Sequence, residues 1–299
     1  MNTKDASSPL LHSPLSWTGS KMKLAPVIVE AFPPPDTYDV YCEPFAGSLA
    51  ILFCKPSYSH LEAVNDKNRR LVSFWMALRD RASELIWGLS TLPYSEALFR
   101  EYRDSLVSGE AMDTLEEVVR WYYVQRTTFA GHSDPKKGWK HRLSGGKIRQ
   151  GVPSDATSYQ NAVDLLDMVV ERLREVQIHC TDAFSFIAKY ATHPRVLAYI
   201  DPPYVGCEGY YTGDGTPAWT REDHLRLAEL LNAIPAQVAL SYYETQELDD
   251  WYPTTKWRRI VWSRVKETSR MNHEIQVGRE VLLMNYPASA PSLWQQTPQ

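Results

Sequence analysis

Residues 196–204 read Val-Leu-Ala-Tyr-Ile-Asp-Pro-Pro-Tyr. Five apolar residues in a row, Val196 to Ile200, predict a buried strand of a parallel sheet rather than a half-exposed one. The two prolines then hold the backbone extended and remove two N–H donors. What the strand delivers to the sheet edge is therefore acceptor: the Asp201 carboxylate and the Pro202 carbonyl. The Tyr204 ring follows directly. Two acceptors beside an aromatic face suit a planar group that carries an exocyclic amine. Accepting both N–H bonds draws the nitrogen toward tetrahedral geometry and frees its lone pair for attack. That is catalysis by orientation and electrostatics, with no covalent enzyme intermediate.

Outward from this strand the chain alternates. Tyr38–Cys42, residues 61–66 (LEAVND), 177–182 (QIHCTD), 237–243 (QVALSYY), 256–262 (KWRRIVW) and 280–286 (EVLLMNY) read as strands. Residues 22–32, 67–89 and 222–231 have helical spacing of apolar positions, the first stopped by Pro33-Pro34-Pro35. Strands ending in acidic residues and separated by helices predict an α/β fold with an open, mainly parallel sheet, which binds ligands at the carboxyl ends of its strands. From about 83 to 175 the texture changes to helical stretches at 95–107, 113–130 and 159–175 without a clean strand. The predicted organisation is a discontinuous domain, 1–82 and 176–299, interrupted by an inserted and mostly helical domain, 83–175. No repeat of fixed period is visible.

Composition narrows the class. The chain has 299 residues, 43% hydrophobic and 23% charged, which is ordinary for a globular protein and excludes dominant disorder. A net charge of −4 excludes a globally basic coat for nucleic acid. No apolar run reaches membrane-helix length, and the first 15 residues lack the pattern of a signal peptide. Cys42, Cys54, Cys180 and Cys207 contain no C-x-x-C pair, which argues against zinc, and they are expected to be reduced thiols in a cytoplasmic protein. His132, His141, His224 and His273 have no metal spacing and receive no role.

Charge is nevertheless segregated. Residues 120–149 hold eight Lys/Arg against one acid, Asp134: Arg120, Arg126, Lys136, Lys137, Lys140, Arg142, Lys147 and Arg149. Trp121, Tyr122, Tyr123, Phe129 and Trp139 are interleaved with them. Cations for phosphates and aromatics for bases are the composition of a nucleic-acid surface.

Taken in order, the motifs resemble those of the Dam-like, D12 class of DNA adenine-N6 methyltransferases. Trp17-Thr18-Gly19-Ser20-Lys21 resembles the family's N-terminal element. Glu43-Pro44-Phe45-Ala46-Gly47-Ser48 resembles its cofactor loop. Asn65-Asp66 and Asp182-Ala183-Phe184 match two further acidic positions, Asp201-Pro202-Pro203-Tyr204 the catalytic element, and Glu280–Tyr286 the closing strand. The resemblance spans about residues 15–82 and 176–287, with a weaker match in the insert. It implies a Rossmann-like methyltransferase sheet with an inserted helical target-recognition domain.

It further implies S-adenosyl-L-methionine as cofactor and methyl transfer to adenine N6 in DNA, on a base flipped out of the duplex. Trp17, Lys21, Glu43, Phe45, Gly47, Asp66, Asp182 and Asp201 are the implied cofactor contacts. Lys21 would meet the methionine carboxylate, Asp66 the ribose hydroxyls and Asp182 the adenine amine. Asp201, Pro202, Pro203 and Tyr204 are the implied catalytic residues. Arg126, Phe129, Lys136, Lys137, Lys140, Arg142, Lys147 and Arg149 are the expected DNA contacts, with Phe129 placed to wedge into the base stack. A bacterial or phage setting and a link to restriction–modification are part of the same implication, and no metal is required.

Two positions depart from the family pattern. Ser48 follows Gly47 where a second glycine is usual nearby. Ala130 stands where readers of GATC have Asn, so GATC specificity is not implied. Cytosine-N4 methylation, RNA adenine methylation, small-amine methylation and a catalytically silent DNA-binding module remain as alternatives.

Overall fold

The structure, a computed structural model, describes residues 11–55, 59–128, 138–140, 154–208, 218–265 and 277–287. Its contacts divide the chain into two compact units. One comprises 1–26, 47–56 and 68–178; the other comprises 27–46, 57–67 and 179–299.

The sheet has seven strands: β1 Val40–Glu43, β2 Leu61–Asn65, β3 Val176–His179, β4 Val196–Ile200, β5 Gln237–Tyr243, β6 Arg258–Val265 and β7 Val277–Met284. Their order is β3-β2-β1-β4-β5-β7-β6. The neighbours β2-β1, β1-β4 and β4-β5 are parallel, and β7 runs antiparallel to both β5 and β6. This is the expected Rossmann-like methyltransferase arrangement. Chain order reverses between β1 and β4, the switch point at which open α/β sheets bind ligands.

In the second unit all five residues of β4 are buried, as the unbroken apolar run requires. One face of the sheet (Cys42, Ala198, Ile200, Leu240, Tyr242, Leu283) packs on Ile187 of α9 (Ala183–Tyr190), on Leu227 and Leu231 of α10 (Arg221–Ala233) and on Trp251 of α11 (Glu247–Trp251). The start of α10 is written in its sequence. Thr220 accepts from the Asp223 amide while the Asp223 carboxylate accepts from the Thr220 amide, a reciprocal capping box.

After α1 (Ala25–Glu30), the first unit holds α2 (Ala50–Cys54) and the helices α3 Arg69–Asp80, α4 Ala82–Ser90, α5 Glu96–Ser108, α6 Thr114–Thr127, α7 Asp155–Asp164 and α8 Leu166–Leu173. The single helix expected over 67–89 is two, because Arg81 leaves the helical region at φ −131°. The helix expected over 159–175 is also two, α7 and α8, which meet at Leu165. Asn68, Ser95 and Asp113 cap α3, α5 and α6 with side-chain oxygens, satisfying donors the first turns leave open. Between α4 and α8 the one β feature among the described residues is the isolated bridge Thr128–Trp139.

The packing of α6 corrects one expectation. Trp121, Tyr122 and Tyr123 are at most 1% exposed and belong to the core, not to a base-stacking surface. The reason is that α6 lies against α3, α4, α5 and α7, so successive positions on several faces all meet neighbours. Phe74 stacks on Tyr122 at 4.9 Å with 14° between the rings.

Candidate functional site

In the second unit, β4 ends at Ile200, and Asp201 follows it at the carboxyl edge of the sheet. Pro202 is buried, and Asp201 and Pro203 are half-buried. The chain then turns: the Cys207 amide donates to the Tyr204 carbonyl at 2.9 Å, and Gly206 adopts φ +79°, a left-handed conformation that glycine permits. The Tyr204 ring meets Tyr243 edge-on at 4.7 Å and Tyr242 at 5.6 Å. It is only 5% exposed, so its stacking face is not an open surface.

Beneath this edge lie two buried phenols. Burial first, then the Glu43 charge, pushes the Tyr41 hydroxyl far above its ordinary range; burial and then Asp201 do the same to Tyr199. Both stay protonated. Tyr41 donates to Glu43 at 2.7 Å, and Tyr199 shares a hydrogen with Ser241 at 2.9 Å. Glu43 is 1% exposed.

Asn65, at the end of β2, joins two loops. Its Nδ2 donates to the Pro44 carbonyl (3.0 Å) and to the Thr181 carbonyl (3.1 Å), its Oδ1 accepts from the Thr181 amide (2.9 Å), and its own carbonyl accepts from the Ala46 amide (2.8 Å). Sequence reasoning paired Asn65 with Asp66 and missed this role, which depends on Pro44 and Thr181, partners distant along the chain. Asp66 itself is half-buried, and its amide donates to the His179 carbonyl at 3.3 Å. The cap of α3 is Asn68, not Asp66. Asp182 is exposed and caps α9, one carboxylate oxygen accepting from the Phe184 and Ser185 amides.

Trp219 was also missed. It lies parallel to Phe184 (5.7 Å, 13°) and edge-on to Phe45 (5.3 Å), and Arg226 sits over the Phe184 ring at 4.1 Å. An aromatic residue immediately before a capping box is the signal that could have revealed it. Three rings for stacking, with the carboxylates of Asp66 and Asp182 as acceptors, are the residue types that suit a nucleoside.

In the first unit, Gly47 adopts φ +48°, and a Cβ there would lie 3.2 Å from Trp17 Nε1. Its carbonyl accepts from the Trp75 indole at 3.3 Å. Ser48, at the departure from the glycine pattern, is hydrogen-bonded to Ser20 at 2.9 Å. Leu49 is the one non-glycine residue with positive φ among the described residues, a conformation that costs energy and marks a tight loop. Lys21 is 5% exposed, and its ammonium donates to the Gly19 carbonyl at 2.8 Å. Trp17, Gly47, Ser48 and Lys21 thus belong to one compact unit, with a buried cation that suits a carboxylate.

The basic segment is described only in part. Phe129, Lys136, Lys137, Arg142, Lys147 and Arg149 lie outside the described residues. Its base is fixed: the Lys140 amide donates to the Thr127 carbonyl (2.6 Å), Tyr94 donates to the Lys140 carbonyl (2.6 Å), and Trp139 packs on Tyr94 at 5.3 Å. Two of the expected phosphate contacts have partners within the protein. Lys140 pairs with buried Asp155 at 3.3 Å, and Arg126 is half-buried and donates to the Ser158 carbonyl at 2.9 Å. Both cations serve internal acceptors and hold the segment's base.

Among the described residues no group of three or more His, Cys, Asp or Glu is placed to hold a metal ion, and no helix is long and apolar enough to cross a membrane.

Against known proteins, residues 17–266 match the model of a family described as D12 class N6 adenine-specific DNA methyltransferase. A solved structure from Escherichia coli, whose name marks it as a provisional methyltransferase, yhhF, is 12% identical over 89% of this chain and 84% of its own, with a TM-score of 0.35. A likeness of that degree adds nothing to the family assignment.

Proposed function

The chain belongs to the D12 class N6 adenine-specific DNA methyltransferases, and from that premise we propose that it transfers a methyl group from S-adenosyl-L-methionine to adenine N6 in DNA. The observation that carries the reading is Asp201-Pro202-Pro203-Tyr204 at the carboxyl end of β4, beside the switch point of the sheet.

When bound, the cofactor supplies a methyl group on a positively charged sulfur. The chain's residues do the rest. Asp201 and the Pro202 carbonyl would accept the two N–H bonds of the target amine and leave its lone pair free to take the methyl. Pro203 keeps the backbone extended. Tyr204 takes the face of the base once what covers the ring has moved. Lys21 meets the methionine carboxylate and Trp17 packs beside it, with Gly47 keeping the turn tight. Glu43 supplies a buried negative charge toward the cofactor's cationic end. Asp66 accepts from ribose hydroxyls, Asp182 from the adenine amine through the oxygen not used in capping, and Phe45 packs on the adenosyl group.

The DNA is double-stranded in this reading, and the target base leaves the stack at a cost of a few kcal/mol. Stacking on Tyr204 returns about 1–3 kcal/mol. Residues 83–175 form the target-recognition insert, with Phe129 as wedge and Lys136, Lys137, Arg142, Lys147 and Arg149 on phosphates. The protein acts in the cytoplasm of a bacterium or phage-infected cell.

The test is transfer of labelled methyl from S-adenosyl-L-methionine to duplex DNA, followed by nucleoside analysis. N6-methyladenine is the expected product. N4-methylcytosine would overturn the base assignment, and label entering only RNA or small amines would overturn the substrate.

A further inference from the structure

The turn that follows Tyr204 is held by a relay of three side chains that the reaction itself does not use. Glu208 Oε1 accepts from the Gly206 amide at 3.0 Å and is 3.3 Å from His224 Nε2. His224 Nδ1 is 2.8 Å from the Tyr242 hydroxyl. The Tyr242 ring in turn lies against Tyr204. His224 is 1% exposed, stacked on Trp251 (5.9 Å, 14°) and edge-on to Trp219.

Chemistry fixes the direction of these bonds. An ionised carboxylate only accepts, so Nε2 carries the hydrogen toward Glu208. A neutral ring then accepts at Nδ1 from the Tyr242 hydroxyl. Burial keeps the ring neutral, lowering its pKa from the ordinary value. At Glu208, burial works against ionisation, but the bonds from its own and the Gly206 amide and from His224 outweigh it. Every polar atom of the imidazole has one partner, and the imidazole orientation is set by the stack on Trp251.

We propose that Glu208 and His224 are positioning residues: they clamp the Val205–Glu208 turn to β5 and α10 so that the Tyr204 ring and the Asp201–Pro202 acceptors hold one geometry. Neither touches the reacting atoms. This role rests on the reading of Asp201–Tyr204 as the catalytic element, while the clamp itself is a property of the protein alone.

The experiment has two readouts on Glu208→Ala and Glu208→Gln. The first is amide hydrogen exchange without cofactor or DNA. Glu208→Ala is expected to speed exchange at Gly206 and Cys207 about tenfold, the loss of one charge-assisted hydrogen bond, with Val196–Ile200 unchanged. Glu208→Gln keeps an acceptor for Gly206 and His224 and should restore slow exchange. The second is methyl transfer to duplex DNA: kcat falls about tenfold in Glu208→Ala while KM for S-adenosyl-L-methionine stays within about twofold, and Glu208→Gln recovers most of it. Unchanged exchange in Glu208→Ala, exchange rising equally through β4 and β5, or equal kcat in the two variants would overturn the proposal. If the wild type transfers no methyl to DNA, the catalytic reading has failed, and with it the positioning role; the exchange data then still decide the clamp.

Discussion

Asn65 and Thr181 exchange hydrogen bonds in both directions, amide to carbonyl at 3.1 Å and backbone N–H to side-chain oxygen at 2.9 Å, although 116 residues separate them. With the Asn65 bond to Pro44 they tie the loop leaving β1 to the loop entering α9. Asn65→Ala removes three side-chain bonds at a buried position and leaves their partners unsatisfied. The expected loss is about 2–4 kcal/mol of stability, read as a lower urea midpoint, together with weaker cofactor binding by calorimetry. A variant as stable as the wild type would show that water replaces the side chain.

Asp182 has two assigned duties that substitution separates. Asparagine caps helices as well as aspartate does, so Asp182→Asn should leave stability nearly unchanged and lower cofactor affinity. Asp182→Ala should also cost about 1 kcal/mol as the cap of α9 is lost. Equal affinity in Asp182→Asn and the wild type would leave capping as the residue's only function.

Gly47 is constrained by its own conformation and by Trp17. Alanine at φ +48° carries a strain of about 1–2 kcal/mol, and its Cβ would press on the indole at 3.2 Å. Gly47→Ala is therefore expected to lose stability even without cofactor. If thermal unfolding of the cofactor-free protein is unaltered and only cofactor binding suffers, the glycine serves close approach of the ligand instead.

His224 sets a pH dependence. Its folded pKa lies below the ordinary value of 6.5 because burial disfavours the cation. Above pH 6.5 the ring is neutral whether the chain is folded or not, and its contribution is complete. Below that pH the unfolded chain takes up a proton that the buried ring resists, so stability falls as pH falls toward the folded pKa. His179, lowered by burial and then by Lys189, adds in the same direction. Urea midpoints at pH 7.5 and 5.5 should differ less in His224→Gln than in the wild type; an identical difference would remove His224 from the account.

Much of this is legible in the sequence. The unalternated run Val196–Ile200 predicts a buried central strand, and β4 is that strand. Periodicity placed α5, α6 and α10 to within a few residues. What escaped depends on partners distant along the chain. Asn65 looks like any polar residue at a strand end until Pro44 and Thr181 are beside it. A count of cations and rings in 120–149 cannot tell that Trp121–Tyr123 face inward, nor that Lys140 answers Asp155. Asp182 caps α9 with one carboxylate oxygen, which leaves the other for the proposed cofactor contact. The break at Arg81 has no proline or glycine to signal it.

The central claim is that Asp201 and the Pro202 carbonyl orient an adenine amine for methyl transfer. Nucleoside analysis of duplex DNA incubated with S-adenosyl-L-methionine and either wild type or Asp201→Ala tests it most directly. The account predicts N6-methyladenine with the wild type and a rate lower by about a hundredfold or more with Asp201→Ala, DNA binding being retained. Equal N6-methyladenine from both proteins, or none from the wild type, would contradict it.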